Sequence, residues 1–374
     1  MDHNARSLPD FPWDRLAPFG DIARTHPDGI IDMSIGTPVD PTPEIIQEAL
    51  AAASDAHGYP TTIGTIDFRQ SAIDWMQRRL GVVGVTLDGV IPTVGSKEMV
   101  AWLPTLLGLT SRDVIAIPAT AYPTYDVGAR LAGCKTVTAD GVAELAEVFS
   151  KAEASGRRLS MVWLNSPSNP TGRVTPADEL AAIVKWARTN DIIVVSDECY
   201  IELGWDAEPV SILHPSVADG SFDNLLMVGS LSKRSNLAGY RAGILAGDVA
   251  RVKEILEVRK HAGMIMPAPV QAAAAAAFRD DAHVEAQRSR YAKRRETLKS
   301  ALLAHGFEIH HSEAGLYLWV TRHEECWKTV AWFAERGILV APGEFYGEAG
   351  QQFVRVALTV SDERVAAFPS RLVG

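Results

Sequence analysis

The chain has 374 residues, of which 36 are Lys or Arg and 46 are Asp or Glu, giving a net charge of −10; 47% are hydrophobic and only 3 are Cys. At roughly 150 residues per domain, this length predicts two domains and a sizeable core. The acidic balance, with no Lys/Arg run longer than about three, argues against a general nucleic-acid binder, because neutralising phosphates needs a basic face, and leaves small molecules or proteins as partners.

From the N-terminus, MDHNARSLPDFPWDRL carries Asp2, Asp10 and Asp14 and no apolar segment, so it does not read as a secretory signal. The first forty residues are Pro-rich (Pro9, Pro12, Pro18, Pro27, Pro38), too short to fold alone, and are expected to pack against the C-terminal part. Residues 93–108, TVGSKEMVAWLPTLLG, put Met99, Trp102, Leu103, Leu106 and Leu107 on one helical face. The N–H groups of Ser96 and Lys97 would open that helix as an anion site, although an ordinary Gly-Ser helix start explains the same residues, and Pro104 is expected to kink it.

Apolar runs without polar alternation follow at 113–120, 160–167, 191–198, 224–232 and 240–248, as strands buried on both faces should. Between them, 177–190 sets Leu180, Ile183, Val184 and Ala187 at helical spacing. This alternation predicts an α/β fold whose large domain, residues 40–275, has a mostly parallel sheet flanked by helices. The Ala run at 272–277 is too short for a membrane span and reads as helix. A charged helix around 281–304 and short strands at 315–320 and 353–358 predict a smaller α+β domain, formed by residues 1–39 with 276–374. Cys134, Cys199 and Cys326 have neither metal-ligand spacing nor disulfide density, so no metal is expected and a cytoplasmic location is.

Ligands collect at the carboxyl ends of strands in such sheets, and three ends here carry unusual polar loops: SPSNPTG (166–172), SDECY (196–200) and SLSKRSNLAGYR (230–241). Lys233, flanked by Ser230 and Ser232 with Arg241 eight positions on, sits in a cluster suited to a phosphate, though a loop lysine is more often a solvated charge. Beside the phosphate of pyridoxal phosphate such a lysine could form a Schiff base. The competing Ser-x-x-Lys acyl-enzyme pattern lacks its companion Ser-Asp-Asn and Lys-Thr-Gly elements. Asp197 ends an apolar strand and so needs a cationic partner, which is a salt bridge or a pyridinium nitrogen. Tyr200 and Asn169 could hydrogen-bond a ring oxygen. Neither a Walker loop nor a dinucleotide fingerprint occurs.

Together GSKE, AYPTY, SPSNPTG, SDECY and SLSKRSNLAGYR resemble the class I/II aminotransferases of the pyridoxal-phosphate fold type I superfamily, over residues from about 30 to the end. That resemblance implies pyridoxal phosphate as cofactor, held through Lys233, which also moves the proton during transfer. Asp197 would pair with the ring nitrogen, Tyr200 and Asn169 with the ring oxygen, and Tyr122 would stack on the ring. Ser96, Lys97, Ser230, Ser232 and Arg241 would hold the phosphate. Arg355 in FVRVAL would grip the substrate α-carboxylate, with the Gly36 backbone facing it and Asn169 alongside. The resemblance also implies a homodimer in which Tyr59 reaches the partner's phosphate.

Within the family, DFPWDRLAPFG (10–20), DMSIGTPVDPTPEIIQEAL (32–50), KHAGMIMPAPVQAA (260–273) and HSEAGLYLWV (311–320) are similar to the actinobacterial succinyldiaminopimelate aminotransferases of lysine biosynthesis. The implied substrates are an amino acid and a 2-oxo acid: glutamate and N-succinyl-2-amino-6-oxopimelate. Arg24, Arg173, Lys260 and His261 are candidates for reading the succinyl arm. An aspartate, aromatic or broad-specificity aminotransferase, or a β-lyase, would share every cofactor residue. A non-catalytic regulator on the same fold would carry a DNA-binding extension, for which too few residues precede Gly36.

Overall fold

A computed structural model describes residues 8–9 and 11–373. Asp2 and Asp10 of the N-terminal reading lie outside the described residues, as do the first seven residues and the last of the expected small domain.

Seven strands form the main sheet, in the order Val90–Val94, Ala242–Gly247, Leu225–Ser230, Ile193–Asp197, Arg158–Asn165, Asp113–Ile117, Lys135–Thr138. Only Ala242–Gly247 runs antiparallel to its neighbours, so the sheet is mostly parallel as expected. The five apolar runs form strands at their predicted places. Val90–Val94 and the edge strand Lys135–Thr138, whose residues are half-buried or exposed, were not foreseen.

The period-two alternation of a strand sorts these apolar runs into two cores. Val114, Val162, Val194, Met227 and Ile244 enter one core, under the helices Glu44–Ala52, Ile66–Leu80, Ala177–Thr189 and Ala268–Arg279. Ile115, Trp163, Val195, Leu226 and Leu245 enter the other, under Ser96–Leu106, Thr124–Leu131 and Val249–Ala262. The Ala run lies in Ala268–Arg279, where small side chains let the helix sit close to two neighbours, and Ala277 and Phe278 still bury in that core.

Pro104 falls in the last turn of Ser96–Leu106, where the missing N–H leaves the Val100 carbonyl without its helical partner. Gly128 of the adjacent helix packs there, so close that a Cβ would lie 2.8 Å from the Val100 oxygen.

A second, antiparallel sheet has the order Ala341–Pro342, Phe353–Ala357, Tyr317–Thr321, Glu308–His310. The long helix Ala282–Ala304 and the C-terminal helix Asp362–Val373 contribute to its core, which Leu16, Ala23, Ile31 and Met33 share with Leu298, Phe333, Val354 and Phe368. Ile31–Asp32 also pairs in parallel with Ile338–Leu339. No described helix is long and apolar enough to cross a membrane.

Candidate active site

Every residue proposed from the sequence for the cofactor or the α-carboxylate, except Tyr59, lines one cavity of about 830 Å³ at the carboxyl edge of the main sheet. Three strands deliver its floor. Arg158–Asn165, Ile193–Asp197 and Leu225–Ser230 are adjacent and parallel, so the loops that follow them emerge side by side.

Asp197 is 7% exposed, and no cationic side chain among the described residues reaches it. The protein partner expected from the sequence is therefore not a cation. Tyr125 donates its hydroxyl to Oδ2 at 3.0 Å, and the Cys199 N–H donates to Oδ1 at 3.2 Å. Burial raises the Asp197 carboxyl above its ordinary range despite these bonds. Tyr125 is itself held by a stacked contact with Trp163, ring centroids 4.8 Å apart. Asn165 completes the support, donating to the Asp197 carbonyl at 2.9 Å and accepting from the Asn169 N–H at 2.7 Å.

Lys233 follows the turn from Leu225–Ser230 into the short helix Leu231–Arg234, and its Nζ donates to the Gly36 carbonyl. Burial, seconded by the charges of Arg355 and Arg241, holds its ammonium below the ordinary lysine range. Ser230 caps the same helix, its Oγ accepting from the Ser232 N–H at 3.1 Å. The Arg241 guanidinium lies over Gly95, which has φ +73 and no room for a Cβ. Ser96–Leu106 begins there, and its start is braced from behind: Glu98 accepts from the Val94 N–H at 3.0 Å and pairs with fully buried Arg259 at 2.7 Å. Hydroxyls, free helix N–H groups and a guanidinium thus converge as an anion cradle. Lys97 is turned toward the outer wall, its Nζ 5.9 Å from the Phe11 ring centroid.

Opposite the floor, Arg355 is 3% exposed. It donates to Asn169 Oδ1 at 2.8 Å and to the Ser34 carbonyl at 2.6 Å, while its buried Nε has no partner among the described residues. The Tyr200 hydroxyl meets that of Tyr317 at 3.0 Å, and Tyr122 forms part of the wall. The outer part is apolar, built from Leu8, Phe11, Trp13, Ile35 and Val127.

Tyr125, Asn165 and Tyr317 escaped the sequence reading, as did Trp163, Glu98, Arg259 and Ser34, which support the site residues from behind. Tyr125 had a signal, since it stands one helical turn after Tyr122 in AYPTY. Tyr59 is fully exposed and outside its own chain's cavity. None of the four arm candidates lines the cavity. Arg173 pairs with Glu179 at 2.8 Å, Arg24 with Asp21 at 2.5 Å and Lys260 with Glu257 at 2.6 Å, and His261 is exposed. No group of His, Cys, Asp and Glu among the described residues is arranged to hold a metal ion.

The donor set fits a ligand with a cationic nitrogen against Asp197 and a phosphate in the cradle. A buried carboxylate without a cation is costly alone, and a pyridinium would offset that cost.

A family model described as aminotransferase class I and II matches residues 28–372. A probable aminotransferase of Mycobacterium tuberculosis is 57% identical, over 98% of this chain and 85% of the relative. The 4-dedimethylamino-4-oxo-anhydrotetracycline transaminase of Streptomyces rimosus is 54% identical, over 98% and 99%. Among solved structures, a probable N-succinyldiaminopimelate aminotransferase from Thermus thermophilus superposes with a TM-score of 0.84 at 27% identity, covering 97% of this chain and 99% of that one. The shared architecture is the aspartate-aminotransferase-like fold type I.

Proposed function

The chain belongs to the class I and II aminotransferases, which depend on pyridoxal phosphate, and from that premise we propose that it exchanges an amino group between glutamate and N-succinyl-2-amino-6-oxopimelate. The products in that direction are 2-oxoglutarate and N-succinyl-LL-2,6-diaminopimelate. The observation that carries the cofactor site is Asp197, a buried carboxylate without a cationic protein partner, in the same cavity as Lys233, Arg241 and Arg355.

When bound, the cofactor supplies an aldehyde carbon that takes up the amino group and a protonated ring that withdraws electrons from the substrate α-carbon. Asp197 would keep the ring nitrogen protonated, and Tyr125 and the Cys199 N–H hold the carboxylate in place for it. Lys233 is the catalytic residue. Its lowered pKa enlarges the neutral fraction, the form in which Nζ would hold the cofactor and, when released by the incoming amino acid, would accept the substrate α-proton. Asn169 and Tyr200 would hold the ring oxygen, Tyr122 the ring face, and Ser96, Ser230, Ser232 and Arg241 the phosphate. Arg355 would receive the α-carboxylate, and the Gly36 backbone lines the same place. Tyr59, fully exposed, completes the phosphate site of a second copy in a homodimer.

Support for the succinylated substrate comes from the likeness to the Thermus thermophilus structure and from the outer wall, where an apolar surface suits an extended arm and Lys97 suits its terminal carboxylate. We therefore assign Lys97 to the substrate arm rather than to the phosphate. The same apolar wall and the 54% identical tetracycline-pathway relative favour a second reading, a ketone on a neutral carbocycle as amino acceptor. Purified holoenzyme given glutamate and the succinylated oxo acid should release 2-oxoglutarate. No turnover there, with fast turnover of aspartate or aromatic amino acids or of a carbocyclic ketone, would exclude the first reading, and release of pyruvate and ammonia from cystathionine would reveal a β-lyase.

A further inference from the structure

Tyr317 has none of the roles assigned above, yet Tyr200, Arg355 and Gly36 all meet at its side chain. It opens the strand Tyr317–Thr321 and is 4% exposed. The neighbouring strand aligns Arg355 with Trp319, which makes Arg355 a diagonal neighbour of Tyr317 on one face of the sheet. Its guanidinium carbon lies 4.0 Å from the Tyr317 ring centroid, a close cation–π contact. On the other side the Tyr317 and Tyr200 hydroxyls are 3.0 Å apart, with the rings edge to face at 5.7 Å. Gly36 passes so near that a Cβ would lie 2.9 Å from two atoms of the Tyr317 ring, and the Gly36 carbonyl is the acceptor of Lys233 Nζ.

A phenol carries one proton, so in a pair of hydroxyls only one can donate to the other. Were Tyr200 the donor, its proton would be spent on Tyr317 and it could offer the cavity only lone pairs. With Tyr317 as donor, both buried oxygens are engaged and the Tyr200 proton is left for an acceptor in the cavity. We propose that Tyr317 is a positioning residue: it donates to Tyr200, which keeps the Tyr200 proton on the cofactor's ring oxygen, and its ring fixes the plane of the Arg355 fork. One side chain thereby joins the cofactor end of the site to the carboxylate end. The inference rests on the reading of this cavity as a pyridoxal phosphate site.

The test titrates the visible absorption of the bound cofactor with pH in the holoenzyme and in Tyr317→Phe, Tyr200→Phe and the double variant, and measures the KM for glutamate. Without the relayed bond the ring oxygen attracts the neighbouring cofactor-borne proton more strongly. The spectral midpoint should therefore rise by about half a pH unit in Tyr317→Phe and about one unit in Tyr200→Phe. The double variant should match Tyr200→Phe, because Tyr317 acts through Tyr200. KM should change less than about twofold in Tyr317→Phe, which keeps the ring, and rise about three- to tenfold in Tyr317→Leu, which does not. An unmoved midpoint in Tyr317→Phe, additive shifts in the double variant, or equal KM increases in the Phe and Leu variants would overturn the role of Tyr317. A wild-type protein with no titrating visible band in the presence of pyridoxal phosphate would instead overturn the cofactor reading, and Tyr317 with it. Should Tyr317→Leu fail to fold, the Phe titrations still decide.

Discussion

Tyr125, in the first turn of the helix Thr124–Leu131, donates its hydroxyl across 3.0 Å to Asp197 at the carboxyl end of the strand Ile193–Asp197. On the proposed reading Asp197 supplies the charge and Tyr125 only its direction. Asp197→Asn should lower kcat about a thousandfold, the scale of losing a charged stabiliser of developing charge. Tyr125→Phe should lower it about tenfold or less, the scale of one hydrogen bond. Steady-state kinetics of both holoenzymes at saturating substrate checks the ordering, and a larger loss for Tyr125→Phe would contradict it.

Lys233→Ala should abolish transfer while pyridoxal phosphate still binds, because Asp197 and the anion cradle remain. Equilibrium dialysis separates the two effects. The cofactor-free protein gives a second check through linkage. The lowered pKa means that the folded state binds fewer protons than the unfolded state between the depressed value and the ordinary lysine value near 10.4, so wild-type stability rises with pH across that window. Lys233→Met should thus raise the Tm of the apoprotein by about 1–2 °C at neutral pH, with the gain shrinking as pH approaches 10.

Glu198 offers a test of burial unrelated to catalysis. It is 1% exposed, its Oε1 accepts from the Ile212 N–H at 2.7 Å, and burial pushes its carboxyl up to about 7. A carboxyl raised in the folded state stabilises below its unfolded pKa and loses that stability as pH rises through about 7. Glu198→Gln keeps an acceptor for Ile212 and removes the charge. Its Tm should equal the wild-type value within about 1 °C at pH 5 and exceed it at pH 8.5, by thermal melts at both.

Much of the site was legible because its chemistry-bearing residues cluster within short loops: Asp197 with Tyr200, and Ser230 with Lys233 and Arg241. The strand periodicity also foretold that these loops would share one edge. What stayed hidden was contact between distant segments. The partner of Asp197 lies 72 residues away and is a phenol rather than a cation, a pairing no local pattern signals. Gly95 is needed both for its φ of +73 and because Arg241 folds over it. Arg173 and Lys260 looked available for a substrate arm, but each is already paired within its own segment. The strand Lys135–Thr138 escaped because an edge strand need not be apolar on both faces.

Arg355 and Lys97 should separate the two ends of the substrate. Arg355→Lys keeps the charge but loses the planar fork, so the KM for glutamate and for the succinylated oxo acid should both rise about 10- to 100-fold. Lys97→Met should raise the KM for the succinylated oxo acid about tenfold and leave that for glutamate within about twofold, since one exposed ion pair is worth roughly 1 kcal/mol. Equal effects of Lys97→Met on both substrates, with weaker cofactor binding, would return Lys97 to the phosphate.

The proposed homodimer gives Tyr59, a large aromatic wholly exposed on its own chain, a place in the partner's phosphate site. Tyr59→Phe should weaken pyridoxal phosphate binding by about three- to tenfold, the scale of one hydrogen bond to an anion. Mixed dimers of Tyr59→Phe and Lys233→Ala should contain one class of site with both defects and one with neither, so the active sites of the exchanged mixture should bind pyridoxal phosphate with wild-type affinity. Active sites that keep the weakened affinity of Tyr59→Phe, with exchange verified, would mean that Tyr59 serves its own chain.

The most direct test of Lys233 as the residue that carries the cofactor is chemical. Holoenzyme reduced with borohydride and digested should yield the peptide containing Lys233 with the mass of reduced pyridoxal phosphate added, at one label per chain. A label on another lysine, or none on a preparation saturated with pyridoxal phosphate, would contradict it.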